Sequence, residues 1–208
     1  MYNSAIILLL FLVNGLQLLQ AQNLLPNPSF EAVNICQKYQ EACSPKAWRS
    51  TLLKGFVYGE YLGENDPKAI VPPDGTRYVA LRMYNKKRIS DRTFIQVPFL
   101  CPLVQGQTYQ LSFQYYSPVY ALNQLGIMLI DSMLIYPNHD LLLGQVADLT
   151  IDFNPTAQAQ IWHPTQLQFT AQGGEIGLII GNFQTDEQTR FSALVKGKNL
   201  PNRIYHAF

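Results

Sequence analysis

The chain of 208 residues is short of charge. Asp, Glu, Lys and Arg make up 14% of it, against roughly 25% in an average soluble protein. Fifteen basic residues face fourteen acidic ones, so the net charge is +1. That balance excludes the basic footprint of a nucleic-acid binder. Only three histidines are present, at 139, 163 and 206, and none lies in an HExxH or other metal-ligand pairing. A zinc hydrolase therefore has no ligand set. The nucleophile elbow GxSxG, the phosphate loop and the dinucleotide motif GxGxxG are all missing. There are only three cysteines, at 36, 43 and 101, too few and too widely spaced for a zinc ribbon. A sustained helical period is missing as well, as is any internal repeat.

The chain does offer an uncharged N-terminus. Residues 1–22 contain no charged side chain, and residues 5–13 (AIILLLFLV) form a nine-residue apolar run. About twenty such residues are needed to span a bilayer; nine match the apolar core of a signal peptide. Leu19-Gln20-Ala21 then presents a small residue at a cleavage position. This pattern predicts export with cleavage after Ala21, leaving 22–208 as one domain. The alternative is a buried N-terminal helix. Export places the cysteines in an oxidising compartment, where a Cys36–Cys43 disulfide would close a short loop. Two reduced thiols are the alternative. Cys101, inside VPFLCPLV, reads as a small buried hydrophobe.

In place of helices, short apolar or alternating runs recur between turn residues. Residues 108–116 (TYQLSFQYY) alternate strictly, and 125–130 (LGIMLI) read as a strand buried on both faces. Further strand candidates are 77–83, 94–97, 166–170, 175–182 and 190–195; residues 141–149 are weakly helix-like. PPDG at 72–75, QGQ at 105–107 and AQGGE at 171–175 carry turn chemistry. Several short strands at such spacing argue for an all-β sandwich or barrel.

The order of the motifs resembles a known family. Asn23-Leu24-Leu25-Pro26-Asn27-Pro28-Ser29-Phe30-Glu31, Pro45-Lys46-Ala47-Trp48, the run DGTRYVAL at 74–81, the strand-turn-strand 95–113 and the pair of runs FTAQGGE at 169–175 and IGNF at 180–183 are similar to secreted bacterial galactose-binding-like jelly-roll domains. These are of the carbohydrate-binding-module type, found N-terminal to outer-membrane peptidoglycan-binding domains. The resemblance implies a jelly-roll β-sandwich of two antiparallel sheets and a non-catalytic glycan-binding or surface-adhesion role. The partner would be a polysaccharide or cell-envelope glycan, at the cell surface, in the periplasm or outside the cell. Members close with an aromatic strand carrying an Asp pair, whereas this chain ends on Ile204-Tyr205-His206-Ala207-Phe208. The last strand is therefore either missing, with 24–30 left as an open edge, or supplied by 204–208 itself. The resemblance also leaves room for a structural calcium at Glu31, whose usual Asp partner would lie in that strand.

Twelve Tyr and two Trp among few charges are raw material for stacking on sugar faces. Tyr116, Tyr120, Tyr58, Tyr61 and Trp48 are the expected ligand platforms; Tyr84 and Trp162 belong to the wider pool, with Trp162 and Phe113 reading more readily as core. For catalysis, the carboxylate pairs Asp148/Asp152 and Asp186/Glu187 are the only material, and the chain is expected not to be an enzyme. A purely structural envelope domain is the competing reading, and a glycan hydrolase the third. Lys86-Lys87-Arg88, with Arg77, Arg82 and Arg92 nearby, reads as a solvated basic turn.

Overall fold

The computed structural model describes residues 22–34, 45–50, 56–60, 70–87, 92–134, 142–153, 158–197 and 200–208, with backbone only for 56–60. The apolar segment 1–21, Cys36, Cys43, Tyr61 and the side chain of Tyr58 lie outside the described residues.

The fold is all-β. Its strands are β1 (Arg49–Ser50), β2 (Phe56–Glu60), β3 (Arg77–Asn85), β4 (Ile95–Pro98), β5 (Thr108–Tyr116), β6 (Tyr120–Leu122), β7 (Gln124–Ile130), β8 (Leu149–Asp152), β9 (Trp162–Thr170), β10 (Gly177–Gly181), β11 (Phe191–Ala193) and β12 (Arg203–Ala207). Two five-stranded sheets form, β1-β4-β10-β7-β8 and β2-β3-β12-β5-β9, with a small β11-β6 pair beside them. Every pairing is antiparallel. The eight principal strands, β3-β12-β5-β9 in one sheet and β4-β10-β7-β8 in the other, follow the order of two interlocked Greek keys, the jelly-roll arrangement.

The core lies between the sheets. Val79, Leu81 and Met83 of β3, Leu111 and Tyr115 of β5, and Ile204 of β12 meet Ile95, Val97, Leu125, Ile127, Leu178 and Ile180. The first sheet is covered on its other face too. There Phe94, Ile130, Leu142, Ile179 and Phe183 make a second apolar cluster, flanked by Met128 and Met133. This is why β7 and β10 read as continuous apolar runs rather than alternating ones. It is also why Gly181 is a glycine: a Cβ there would run into the Phe94 ring. Residues 142–148 form turns rather than a helix, and Leu142 is the plug they deliver to this cluster.

At the ends, one expectation is corrected and one open alternative is decided. Residues 24–30 form bends and turns, not a strand, because Asn27 and Phe30 take positive φ of 50° and 62°, which no strand accommodates. The segment is a clasp instead. The Asn27 side chain donates to the carbonyls of Ala32 and Lys46 and accepts from the Ala32 N–H. Its carbonyl accepts from Trp48 Nε1 at 3.0 Å, and the Phe30 ring packs on Trp48 with centroids 4.8 Å apart. Nor is the closing slot empty. β12 runs between β3 and β5, and Phe208 exchanges main-chain bonds with Val79 in both directions. The last strand does pair beside the first principal strand, but that strand is β3.

Candidate functional site

Period-two alternation gives β5 and β9 one inward and one outward face. Inward go Leu111 and Tyr115, with Phe113, Leu167 and Phe169 packed against them. Outward, the register aligns Thr108 with Thr170, Gln110 with Gln168, Ser112 with Gln166, Gln114 with Pro164 and Tyr116 with Trp162. The first four rungs are exposed on both strands and the fifth is half-buried. None of the ten side chains is charged. The result is a ladder of amide and hydroxyl groups that ends in two rings packed at a tilt, their centroids 5.5 Å apart and their planes at 50°. Trp162 Nε1 donates to the Val71 carbonyl at 2.7 Å, which fixes the indole in place. Burial raises the pKa of the Tyr116 phenol, so it remains a neutral donor and acceptor. A shallow depression of about 390 Å³ opens over Ser112, Gln114, Pro164 and Gln166.

Tyr116 thus lies half-buried on the outer face, and Trp162, which read as core, lies beside it. The other aromatic candidates are placed differently. Trp48 is 4% exposed, locked under Phe30 by the clasp, and offers no ring face to a ligand. Tyr120 is 3% exposed; its hydroxyl donates to the Pro201 carbonyl and accepts from Lys86 Nζ. Lys86 lies over the Tyr120 and Phe191 rings, 4.2 and 4.8 Å from their centroids, so one charge of the basic turn is held by aromatics. A second, Arg92, is buried outright. Its guanidinium donates to the Asn182 and Gln184 carbonyls and to Asp186, and it stacks at 5.1 Å on Tyr84. Burial lowers its pKa and the Asp186 charge opposes that.

Glu31, the expected calcium ligand, faces donors. One oxygen accepts the Thr76 and Arg77 N–H groups at 2.7 and 2.9 Å, the other the Thr76 hydroxyl at 3.1 Å. The Thr76 N–H is the main reason its pKa is lowered. Gly75, at φ +68°, lets the carboxylate sit against the turn, because a Cβ would occupy the same space. Such a donor set suits a carboxylate rather than a cation, and no cluster of three potential metal ligands occurs among the described residues. Glu31 ties the clasp to the start of β3. Cys101, expected to be buried, is exposed and free; it is Leu103, 4% exposed, that turns inward from this loop.

Three of the four carboxylates considered for catalysis bond to protein groups. Asp186 pairs with Arg92, Asp148 accepts the Leu129 N–H at 2.7 Å, and Asp152 accepts from Gln124 at 3.1 Å. A cleft of about 500 Å³ between the edges of the two sheets is rimmed by Asp131, Asp148 and Glu175 over Met128, Leu129 and Phe169. Burial alone would raise the Glu175 pKa; its own N–H and those of Gln172 and Gly173 bring it below the usual value. It is an anion that closes a turn. Ser117 and His206 also form a buried pair, Oγ to Nδ1 at 2.7 Å. The Leu122 N–H points at Nε2, which assigns the ring proton to Nδ1 and makes Ser117 the acceptor. The serine is therefore not activated, and both groups are sealed from solvent.

No family model matches the chain, and no curated protein does. Ten solved chains match it. One, described as the crystal structure of a cyclase from Fischerella sp. TAU, has a TM-score of 0.49 and 14% identity and covers 88% of this chain and 95% of that one. At that score and identity the likeness carries no argument about activity. Among the described residues no helix is long and apolar enough to cross a membrane.

Proposed function

We propose that the protein is an exported, non-catalytic glycan-binding or surface-adhesion module whose binding face is the outer side of β5 and β9. The uncharged ladder ending in the Tyr116–Trp162 ring pair carries this reading. The C–H side of a pyranose ring is apolar and stacks on such rings, while amides and hydroxyls match the sugar hydroxyls in both donor and acceptor roles. The pairing of Asp186 with the buried Arg92, which takes one of the candidate carboxylates out of play, supports binding over hydrolysis.

The experiment is retention of the protein on a panel of immobilised polysaccharides, repeated with Tyr116→Ala and Trp162→Ala. Retention on at least one glycan, weakened by both substitutions while the circular dichroism spectrum is kept, is the expected result. If no glycan retains the protein, or both variants bind as well as the parent, the purely structural reading replaces this one. N-terminal sequencing of the exported product should begin at Gln22 or Asn23.

A further inference from the structure

The second sheet ends on β9, and this edge differs from the β8 edge of the first sheet, which has four residues and ends on Asp152. Short length and terminal charge are the usual protections of an edge. β9 has nine residues, no Asp, Glu, Lys or Arg, and pairs with β5 over its whole length.

Which main-chain groups of β9 face outward follows from the bonds at its end. Ala171 donates to the Gln107 carbonyl and accepts from the Gly106 N–H, at 3.0 and 2.9 Å. Its polar groups thus point toward the β5 side. Alternation along an antiparallel pair then turns 169, 167, 165 and 163 inward to β5, and 170, 168, 166, 164 and 162 outward. Pro164 falls in the outward set, the place in a sheet where a missing N–H costs no ladder bond. Gln166, Gln168 and Thr170 are left with outward N–H and C=O groups and with exposed, uncharged side chains.

We infer that β9 is a self-association edge, taking β9 of a second copy as an antiparallel neighbour. The occupant is a second copy because the edge complements itself. Placing Gln168 opposite its own counterpart pairs Gln166 with Thr170 on both sides, so three pairs each exchange two main-chain bonds. No like charges meet across the seam. Pro164 then lies just outside the paired stretch and sets its limit, which defines one register. Edge pairing buries little area, so the dimer is weak and concentration-dependent. It would join the two outer ladders into one continuous uncharged surface. The inference does not depend on what that surface binds.

Sedimentation velocity of the protein in glycan-free buffer, from micromolar to millimolar concentration, tests it. The parent should shift from monomer to dimer across that range. Gln168→Pro, which removes the central outward N–H, and Gln168→Lys, which sets two cations face to face, should both stay monomeric. Gln110→Lys adds the same charge to the same face one strand away from the edge and should still dimerise. Circular dichroism establishes that each variant is folded, and the lysine variant decides the matter if the proline variant is not. A parent that stays monomeric up to millimolar concentration overturns the inference, and so does a folded Gln168→Lys that dimerises as well as the parent.

Discussion

The two sheets share one core and treat their outer faces in opposite ways. Beyond the first sheet, Phe94, Ile179 and Phe183 are buried in a second apolar cluster. Beyond β5 and β9 of the second sheet there are only exposed amides, hydroxyls and a proline, plus the Tyr116–Trp162 pair. The burial patterns state the difference directly: every residue of β10 is buried, whereas β9 alternates along its length. Apolar burial contributes about 1.5–3 kcal/mol per fully buried Leu, Ile or Phe, so the doubly covered sheet carries more of the stability. The open face contributes little to folding and is free to carry recognition chemistry. Side-chain cost in this fold therefore depends on depth, and three measurements test that dependence.

The largest effect is expected from acid, acting on the inner side of the open sheet. His206 on β12 is fully buried against Phe153, with ring centroids 4.8 Å apart. Burial lowers its pKa from 6.5 to about 3. Between those values the unfolded chain binds a proton that the folded chain refuses. The histidine's contribution is therefore fully present above about pH 6.5 and is lost as the pH falls toward about 3, at up to about 1.4 kcal/mol per pH unit. Urea denaturation at pH 7.5, 6 and 5 measures the slope. A flat stability over that range would mean that the inner face of the open sheet is not sealed. Glu31 and Glu175 add acid sensitivity only at lower pH, because their pKa values already lie below the usual carboxylate range.

A loss of about 3 kcal/mol is expected from Asp186→Ala. Arg92 is 0% exposed and Asp186 supplies its counter-charge. Removing one partner of a buried pair leaves an uncompensated charge inside, at a cost of about 3–5 kcal/mol; Asp186 is 16% exposed, which admits some water and favours the low end. Arg92→Met together with Asp186→Ala should recover part of the loss. A single variant as stable as the parent, by thermal melting, would show that the pair is dispensable and that the polar rim around Asn182 does not brace the first sheet.

Several features were readable from residues because they are local. Strict alternation exposed β5, and a continuous apolar run exposed β7. Features that rest on distant partners were not readable. Pro164 hid the first half of β9, since proline argues against a strand; the proline is tolerated because its missing N–H points off the sheet edge. Tyr120 looked like an exposed strand-end ring beside Ser117-Pro118, yet Pro201, 81 residues away, takes its hydroxyl. The strand expected at Leu24 to Phe30 came from the family resemblance; Pro26, Asn27, Pro28 and Ser29 are turn formers, and Asn27 and Phe30 take positive φ. Trp162 was counted with the core as a large aromatic; only the register that sets it against Tyr116 puts it on the outer face. The ladder itself needed both strands, since neither set of outward residues is distinctive alone.

The smallest effect is expected on the open face itself. Gln114→Ala and Gln166→Ala remove exposed amides from the outer face of β5 and β9. Neither side chain bonds to another protein group there, and an exposed side chain away from caps, cores and ion pairs contributes within about 0.5 kcal/mol. The melting temperature should therefore stay put for each and for the pair, which lie on neighbouring rungs. Retention on any glycan the parent binds should fall by a measurable factor, since amides that satisfy sugar hydroxyls are lost while the fold is kept. A drop in stability above about 1 kcal/mol would place these glutamines among the groups that hold the sheet together. The open face would then be structural in the same sense as the buried one, and the division between a sheet that stabilises and a sheet that recognises would fail. A neutral melt with reduced retention would fix that division at the level of single rungs.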